Sequence, residues 1–397
     1  MLNTPFSPWP SFSKEEAQAA ADVIASNRVN YWTGDEGRQF EREFAQWCGT
    51  DHAIALANGT LALDLALHGL GVGAANGGHA HDEVIVTPRT FIASASCVIN
   101  AGAIPVFADV ALDSGNLTAE TIAPHINART RAIIPVHLAG YPCDMPAIMR
   151  LARQHGLFVI EDCAQAHGGA IDGQRLGSFG DVGAWSFCQD KIMTTGGEGG
   201  MVTCADKALW SRMWSFKDHG KSWEAVYERQ HPPGFRFVHE RIGTNWRMLE
   251  VQAAIGRIQL GRMQEWHQRR AAIAHKIWRT ANATGLAHVP HLPAGYTHAC
   301  YKAYIHLRTE NLNTDWTRDK IVAAINALNV PCYHGGCTEV YLEKAFEKSN
   351  MRPAQRLPNA MILGETSLMF LCHPTLTDSE VDATCAAISD VLSAACC

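Results

Sequence analysis

Short apolar runs alternate with helical stretches between residues 50 and 205. The apolar runs predict buried strands at Ala53–Ala57, Glu83–Val86, Ile104–Phe107, Ala132–Val136, Phe158–Ile160 and Met201–Thr203. The segments between them predict helices at Leu61–His68, Ile92–Ala101 and Met145–His155. This alternation indicates an α/β fold with an open, mainly parallel sheet, and such a sheet binds ligands at the carboxyl ends of its strands.

Two helices are predicted before the first strand. Ser13 is followed three residues later by Glu16, which is the pattern of a capping box and predicts an amphipathic helix over residues 13–26. A second helix, rich in charged residues and phenylalanine, is predicted over residues 37–48. The chain is therefore expected to begin with helices.

The pattern changes after residue 205. Ser215–Arg241 is polar, aromatic and basic, a composition that fits neither a strand nor a helix. It predicts a long irregular segment that covers the ligand-binding edge of the sheet, and this segment is called the excursion below. A strong helix follows from Met248 to Ala281, and the remainder mixes helices with a few strands. The later helices are predicted at Trp316–Leu328 and Ser379–Ala394. These features predict a larger α/β domain over residues 1–260 and a smaller α+β domain over residues 261–397.

Composition narrows the possible functions. The formal net charge of −6 and the 18% of charged residues give no reason to expect binding to nucleic acid or to an anionic membrane. No apolar run approaches the roughly 20 residues of a membrane helix, and no signal peptide is evident, so a cytoplasmic protein is expected. The 13 cysteines and 19 histidines form no CxxC pair, HExxH motif or zinc-like spacing. Neither a disulfide framework nor a metal site is therefore expected, and His79 and His81 are interpreted as part of a solvated loop.

Three segments carry candidate chemistry. Glu161 and Asp162 follow a predicted strand, where a sheet presents catalytic groups, although Asp162 could instead cap a helix. Lys191 stands alone among apolar, threonine and glycine residues, and the alternative is an exposed lysine in a glycine-rich turn. Gly59 and Thr60 lie between a strand and a helix, where backbone N–H groups and the Thr60 hydroxyl can form a phosphate-binding site.

Together these segments resemble the DegT/DnrJ/StrS family of sugar aminotransferases, which has the fold-type I architecture of aspartate aminotransferase. The resemblance covers nearly the whole chain and rests on several segments occurring in order. These segments are 58–60, 86–91, 161–165, 186–200 and 243–248. The resemblance implies a pyridoxal-phosphate (PLP) transferase with a mainly parallel mixed sheet between helices and a smaller α+β C-terminal domain.

The family implies catalytic roles for the matching residues. Lys191 would carry PLP as a Schiff base, and Asp162 would face the pyridine nitrogen and favour its protonated form. Gln165 would hydrogen-bond near the phenolic oxygen of the cofactor. Phe91 would stack on the ring, although burial in the core is the alternative for an aromatic residue. Lys191, once released, would also act as a general acid and base.

The family also implies a phosphate site and a partner subunit. Gly59, Thr60 and Ser186 would hold the phosphate of PLP. Asn245 would reach the phosphate of the neighbouring subunit. A homodimer with shared active sites is therefore expected.

The implied reaction moves an amino group from an amino acid, with L-glutamate as the expected donor, to a nucleotide-linked keto-sugar. A 4-keto-6-deoxy sugar is the expected acceptor, in the biosynthesis of amino sugars for a surface polysaccharide or a glycosylated metabolite. Substrate contacts are predicted at Lys217 and His219 in the excursion, and at Tyr333 and His334. The last two lie in a stretch that departs from the family pattern, and the loop Gly73–Asp82 is longer than is usual in the family.

Two alternatives stay open. Some relatives carry histidine where Lys191 stands and act as sugar dehydratases, so dehydration on the same fold is the first. The second is a non-catalytic regulatory protein on this scaffold. The presence of Lys191 favours transamination over dehydration. The presence of Lys191, Asp162 and Ser186 argues against a non-catalytic protein.

Overall fold

The computed structural model describes residues 4–347 and 351–397. Its α-helices in these residues are α1 (Lys14–Ala25), α2 (Glu36–Cys48), α3 (Gly59–Leu70), α4 (Ala93–Asn100), α5 (Ala119–Ile122), α6 (Met145–His155), α7 (Lys207–Lys217), α8 (Glu250–Ala283), α9 (Arg318–Ala327), α10 (Pro358–Thr366) and α11 (Asp378–Ala395). Its strands are β1 (His52–Leu56), β2 (Glu83–Val86), β3 (Ile104–Phe107), β4 (Thr130–Ile134), β5 (Phe158–Asp162), β6 (Ala170–Ile171), β7 (Gln174–Arg175), β8 (Val182–Ser186), β9 (Gly200–Cys204), β10 (Ala287–His288), β11 (Tyr296–Thr297), β12 (Ala303–Leu307), β13 (Cys332–Tyr333) and β14 (Ser367–Phe370).

The central sheet has the strand order β1-β9-β8-β5-β4-β2-β3. Strands β8, β5, β4, β2 and β3 pair in parallel, and β9 runs antiparallel between β1 and β8. Successive residues of a strand face different cores: Ile54 and Val84 belong to one buried cluster, and Ala55 and Ile85 belong to the other. The sheet is therefore buried on both faces, which confirms the predicted α/β class and mainly parallel sheet.

Sequence patterns located most elements of this sheet within two residues but missed strand β8. Its sequence is Val182-Gly183-Ala184-Trp185-Ser186, and only two of these residues are large and apolar. All five residues are nevertheless buried, because β8 lies in the centre of the sheet between β5 and β9. Position in the sheet, rather than local hydrophobicity, makes this segment a strand.

The interpretation of Ser215–Arg241 as wholly irregular is wrong in part. Helix α7 extends to Lys217, and Glu224–Glu228 forms a π-helical turn. Trp223 packs with its ring centroid 4.9 Å from that of Trp210 and 5.0 Å from that of Trp214. These aromatic contacts stabilise helical backbone in a segment whose composition alone suggests a loop.

A second sheet, with strand order β10-β12-β14-β13, is antiparallel throughout and packs against helices α8 and α9, which in turn contact α11. Helix α8 continues across residue 260, so the predicted division into 1–260 and 261–397 falls inside a helix and stays a prediction. In the described part of the chain, no helix combines the length and apolar character needed to span a membrane.

Candidate active site

Neighbouring parallel strands bring an acid and a hydroxyl to one edge of the central sheet. Asp162 is the last residue of β5, and Ser186 is the last residue of β8. Asp162 lies opposite Ala184 in the register of these two strands. The carboxyl ends of parallel strands are where α/β sheets place ligands, so this edge is the candidate site.

Asp162 is buried and lies among neutral hydrogen-bond donors. Its Oδ2 accepts the Ser94 hydroxyl at 2.7 Å, and its Oδ1 accepts the backbone N–H of Ala164 at 3.1 Å. Among the described residues, no cationic side-chain nitrogen lies within 4.0 Å of this carboxylate. Burial raises the pKa of Asp162, with smaller opposing effects from its hydrogen bonds, Lys191 and His137. A buried anion without a cation beside it is suited to face a cationic group of a ligand.

The helix-cap interpretation of Asp162 is wrong, because no helix follows it. Glu161 points to the other face of β5, where its carboxylate accepts backbone N–H groups of Gly177, Phe179 and Gly180. It also lies 3.2 Å from Nε2 of His137. With Cys163, these two residues form the group of potential metal ligands found in the described residues, but their hydrogen bonds already organise the core. Only Asp162 of the acidic pair therefore faces the site.

The N-terminus of α3 forms a cradle against Ser186. Asn58 caps this helix by accepting the backbone N–H of Leu61 at 3.0 Å. A Cβ atom added to Gly59 would lie 2.5 Å from Cβ of Ser186, and one added to Gly200 would lie 2.3 Å from the carbonyl oxygen of Asn58. Glycine at both positions allows the helix terminus, β8 and β9 to approach closely. The first-turn N–H groups and the Ser186 hydroxyl can then share one anionic group.

Lys191 is held in a mostly enclosed position. Its side chain is 17% exposed, and Trp9 Nε1 donates to its backbone carbonyl at 2.8 Å. This burial argues against the alternative of a solvated lysine in a turn. Its Nζ lies 3.7 Å from Oδ1 of Asp190 and 5.3 Å from the centroid of the Tyr301 ring. A desolvated amine in such a position is suited to act as a nucleophile.

Asp190 and Tyr301 are site residues that the sequence analysis missed. The Tyr301 hydroxyl donates to Oδ2 of Asp190 at 2.5 Å, so the carboxylate is anchored beside the amine of Lys191. Burial acts to raise the pKa of Asp190, but Lys191 and the Tyr301 hydroxyl outweigh it and the net pKa is lowered. The adjacency of Asp190 to Lys191 was a sequence signal, whereas nothing in the sequence marks Tyr301.

We expect Asp190→Asn to lower kcat/KM for transamination by about tenfold to a hundredfold. The Asp190 carboxylate is fixed by the Tyr301 hydroxyl and lies 3.7 Å from Nζ of Lys191, so its removal takes away one of the contacts that position the amine. The measurement is kcat/KM, with Asp190→Glu as the control that keeps the charge and retains most of the activity. An unchanged kcat/KM in Asp190→Asn would show that Asp190 does not position Lys191.

Phe91 and Gln165 are connected to Asp162 through neighbouring residues. Phe91 is 69% exposed, so the alternative that it is a core aromatic is wrong. The preceding Thr90 hydroxyl lies 2.7 Å from Ser94 Oγ, and Ser94 donates to Asp162. Gln165 follows Asp162 by three residues, and its Oε1 accepts the backbone N–H of Ala139 at 2.6 Å. The exposed side chain of Phe91 is therefore accessible to a ligand.

Asn245 and His219 are both exposed and lie on paired segments. Asp218 and Asn245 form an isolated antiparallel bridge, and the backbone N–H of His219 donates to the carbonyl of Thr244 at 2.8 Å. An exposed Asn245 is free to contact another subunit. His219 is accessible but makes no described contact to Asp162 or Lys191.

Lys217 does not have the position expected of a substrate contact. Its side chain is fully buried, with Nζ 3.8 Å from Oε1 of Glu41 and 3.9 Å from the centroid of the Tyr31 ring. Burial lowers the pKa of Lys217, and the Glu41 carboxylate opposes this effect. The prediction that Lys217 contacts substrate is corrected, because its amine is enclosed by the residues that anchor α7.

Tyr333 and His334 lie at the edge of the second sheet. Tyr333 packs against a cluster formed by Ala139, Tyr304 and Met369, which adjoins the Gln165 contact. The His334 Nε2 is 3.3 Å from Oδ1 of Asp319. Tyr333 therefore lies closer to the site network than His334, and substrate binding by either residue stays a prediction.

The residues at the sheet edge fit PLP. The Gly59–Ser186 cradle suits a phosphate, the unneutralised Asp162 suits a protonated pyridine nitrogen, and the enclosed Lys191 suits attachment of an aldehyde. The exposed ring of Phe91 can cover one face of a flat heterocycle.

Comparisons with known proteins agree with this geometry. The profile of the DegT/DnrJ/EryC1/StrS aminotransferase family matches residues 10–389. The chain is 40% identical over 357 residues to the UDP-N-acetyl-3-dehydro-alpha-D-glucosamine 3-aminotransferase of Acidithiobacillus ferrooxidans, covering 89% of this chain and 88% of that protein. It is 36% identical to the GDP-perosamine synthase of Caulobacter vibrioides, covering 94% of this chain and 95% of that protein. The crystal structure of an aminotransferase from Psychrobacter cryohalolentis is 56% identical, with a TM-score of 0.95, and 98% of this chain and 100% of that chain are covered.

Proposed function

Because the chain belongs to the DegT/DnrJ/EryC1/StrS aminotransferase family and is a PLP-dependent sugar aminotransferase, we propose that it moves an amino group from L-glutamate to a nucleotide-linked keto-sugar. The observation that supports this proposal is that Asp162, which interacts electrostatically with Lys191, ends a strand at the same edge of the central sheet as the Gly59–Ser186 cradle. The relatives named above supply the class of acceptor.

The catalytic work is assigned to two side chains. PLP, when bound, supplies an electron sink for the carbon atom that loses or gains a proton. Lys191 would hold the cofactor through its Nζ and, once released, would act as the base that removes the proton from the α-carbon of the amino acid. Asp162 would favour the protonated pyridine nitrogen through its buried carboxylate.

Other residues bind and orient. The first turn of α3 and Ser186 would hold the phosphate, and Gln165, fixed by the Ala139 N–H, would orient the phenolic oxygen. The exposed ring of Phe91 would cover the cofactor ring and exclude water from it. Tyr333 and His219 are proposed to line the approach of the sugar.

We propose that two copies of the chain complete each site. Three apolar side chains close in sequence to Asn245 are almost fully exposed, and such a group is typical of an interface. They are Phe235, Phe237 and Ile242. A second copy would cover them and bring Asn245 to the phosphate of the first.

The acceptor is proposed to be a nucleoside-diphosphate keto-sugar, with the 4-keto-6-deoxy class as the first candidate. The relative from Acidithiobacillus ferrooxidans is named for an acceptor with its keto group at C3. A 3-keto sugar on UDP is therefore the second candidate.

The function can be tested by incubating the holoenzyme with glutamate and each class of keto-sugar. We expect 2-oxoglutarate and an amino sugar to form in equal amounts, measured by a coupled assay and by mass spectrometry. Loss of water from the sugar without consumption of glutamate would instead identify a dehydratase. Purified protein that binds no PLP would point to the non-catalytic alternative.

A further inference from the structure

Arg89 is a buried cation without a counter-ion. Its residue is 3% exposed, and among the described residues its guanidinium makes no ion pair within 4.0 Å and no hydrogen bond. The guanidinium lies over the ring of Tyr304, with Cζ of Arg89 5.2 Å from the ring centroid. Burial lowers the pKa of Arg89, but a guanidinium stays protonated at neutral pH. An uncompensated buried charge is strongly unfavourable, so a compensating group is expected.

A cavity adjoins this guanidinium. Its volume is about 30 Å³, and it lies where the loops after β2, β3 and β4 meet the second sheet. Arg89, His298 and Tyr304 form its buried wall, while Asp113 and His288 lie at an exposed rim. The space is large enough for one atom-sized occupant and too small for a substrate.

The buried wall of this cavity is rich in hydrogen-bond donors. Burial lowers the pKa of His298 to about 3, so its imidazole is neutral. Its Nδ1 accepts the backbone N–H of Cys300 at 2.8 Å, so its proton resides on Nε2, which becomes a donor. The Tyr304 hydroxyl accepts the N–H of Gly336 at 2.7 Å, so Tyr304 contributes its ring to the wall. Arg89 and His298 therefore supply the hydrogen-bond donors of the wall, and Arg89 supplies its positive charge.

We propose that this cavity binds a small monovalent anion of halide size. The anion would neutralise Arg89 and accept hydrogen bonds from the wall, which a water molecule could do only in part because it carries no charge. Asp113 is a poor substitute, because its exposed carboxylate lies more than 4.0 Å from the guanidinium and accepts the N–H of Ser114. The site is separate from the Gly59–Ser186 cradle proposed for the cofactor phosphate.

The anion would join two parts of the molecule. Arg89 precedes Phe91 by two residues, on the loop that follows β2, while Tyr304 belongs to β12 of the second sheet. The backbone N–H of Val340 also donates to the carbonyl of Pro88 at 2.9 Å. An anion at Arg89 would add a bond between the loop that carries Phe91 and the second sheet.

Crystals of the holoenzyme soaked in bromide test the proposal directly. We expect an anomalous peak within hydrogen-bonding distance of the Arg89 guanidinium, in wild type and in Asp113→Asn alike. A cavity that is empty or holds only water at saturating bromide would overturn the proposal. Loss of the peak in Asp113→Asn would do so too.

Thermal unfolding provides a second measurement in solution. Chloride or bromide at a hundredfold excess over its Kd should raise Tm by about 3 °C, compared with sulfate at equal ionic strength. Arg89→Gln should lose this difference, whereas Arg236→Gln, which alters an exposed arginine on the excursion, should keep it. An equal response of wild type to halide and sulfate would overturn the proposal, even if Arg89→Gln does not fold.

Discussion

Replacing Lys191 by alanine is expected to abolish transamination and the visible absorbance of the lysine-linked cofactor, while the protein still folds. Activity should fall by more than about 10⁴-fold, because the covalent attachment and the acid–base work, worth about 10²–10⁴ alone, are lost together. Stability should change by less than about 1 kcal/mol, since the partner of its ion pair, Asp190, is 38% exposed and keeps its hydrogen bond with Tyr301. The measurements are the absorbance spectrum, single-turnover kinetics and thermal unfolding.

A matched control shows whether the loss of activity is specific to Lys191 or follows from removing a lysine elsewhere. Lys276→Ala removes an amine that is paired with Asp382 on the surface, and it should leave spectrum and rate unchanged. A small primary amine added to the Lys191→Ala enzyme should restore part of the proton transfer. Wild-type turnover in Lys191→Ala would disprove the catalytic role.

The positions of site residues at strand ends could be predicted from the sequence, because each candidate motif directly follows an apolar run that predicts a strand. Asp162 and the Gly59 turn follow apolar runs, so their place at the carboxyl edge of a parallel sheet follows from the fold class. Ser94 was not predictable, because its contact with Asp162 spans 68 residues and depends on the pairing of β2, β4 and β5. Tyr301, which meets Asp190 from 111 residues away, is a similar case.

The error at Lys217 has a different origin. In the sequence, Lys217 stands among basic and aromatic residues and resembles a solvated charge. In the structure, Glu41 and Tyr31, contributed by α2 and the segment before it, enclose its amine. A lysine can be buried when a distant carboxylate and aromatic rings replace water around it, and local composition does not reveal such partners.

Asp162→Asn is expected to lower the rate of transamination by about 10³-fold, which corresponds to roughly 4 kcal/mol of activation free energy. Asparagine keeps the shape of the side chain and its hydrogen bond with Ser94, but it cannot stabilise a proton on the pyridine nitrogen. PLP should still attach to Lys191, so the visible absorbance should persist with an altered pH dependence. The measurement is kcat in single-turnover reactions, together with a spectrophotometric pH titration.

The stability of the cofactor-free protein distinguishes this role from a structural one. Burial raises the pKa of Asp162, so its ionised form weakens the apo fold as pH rises through that pKa. Asp162→Asn should therefore leave the apo Tm equal or higher at neutral pH, although activity is lost. Asp181→Asn is the matched control, because burial also raises the pKa of Asp181 but its carboxylate accepts the Val159 N–H away from the site. If Asp162→Asn lowered Tm and kept its activity, Asp162 would be a structural residue. An equal or higher Tm together with lost activity would assign its buried charge to catalysis.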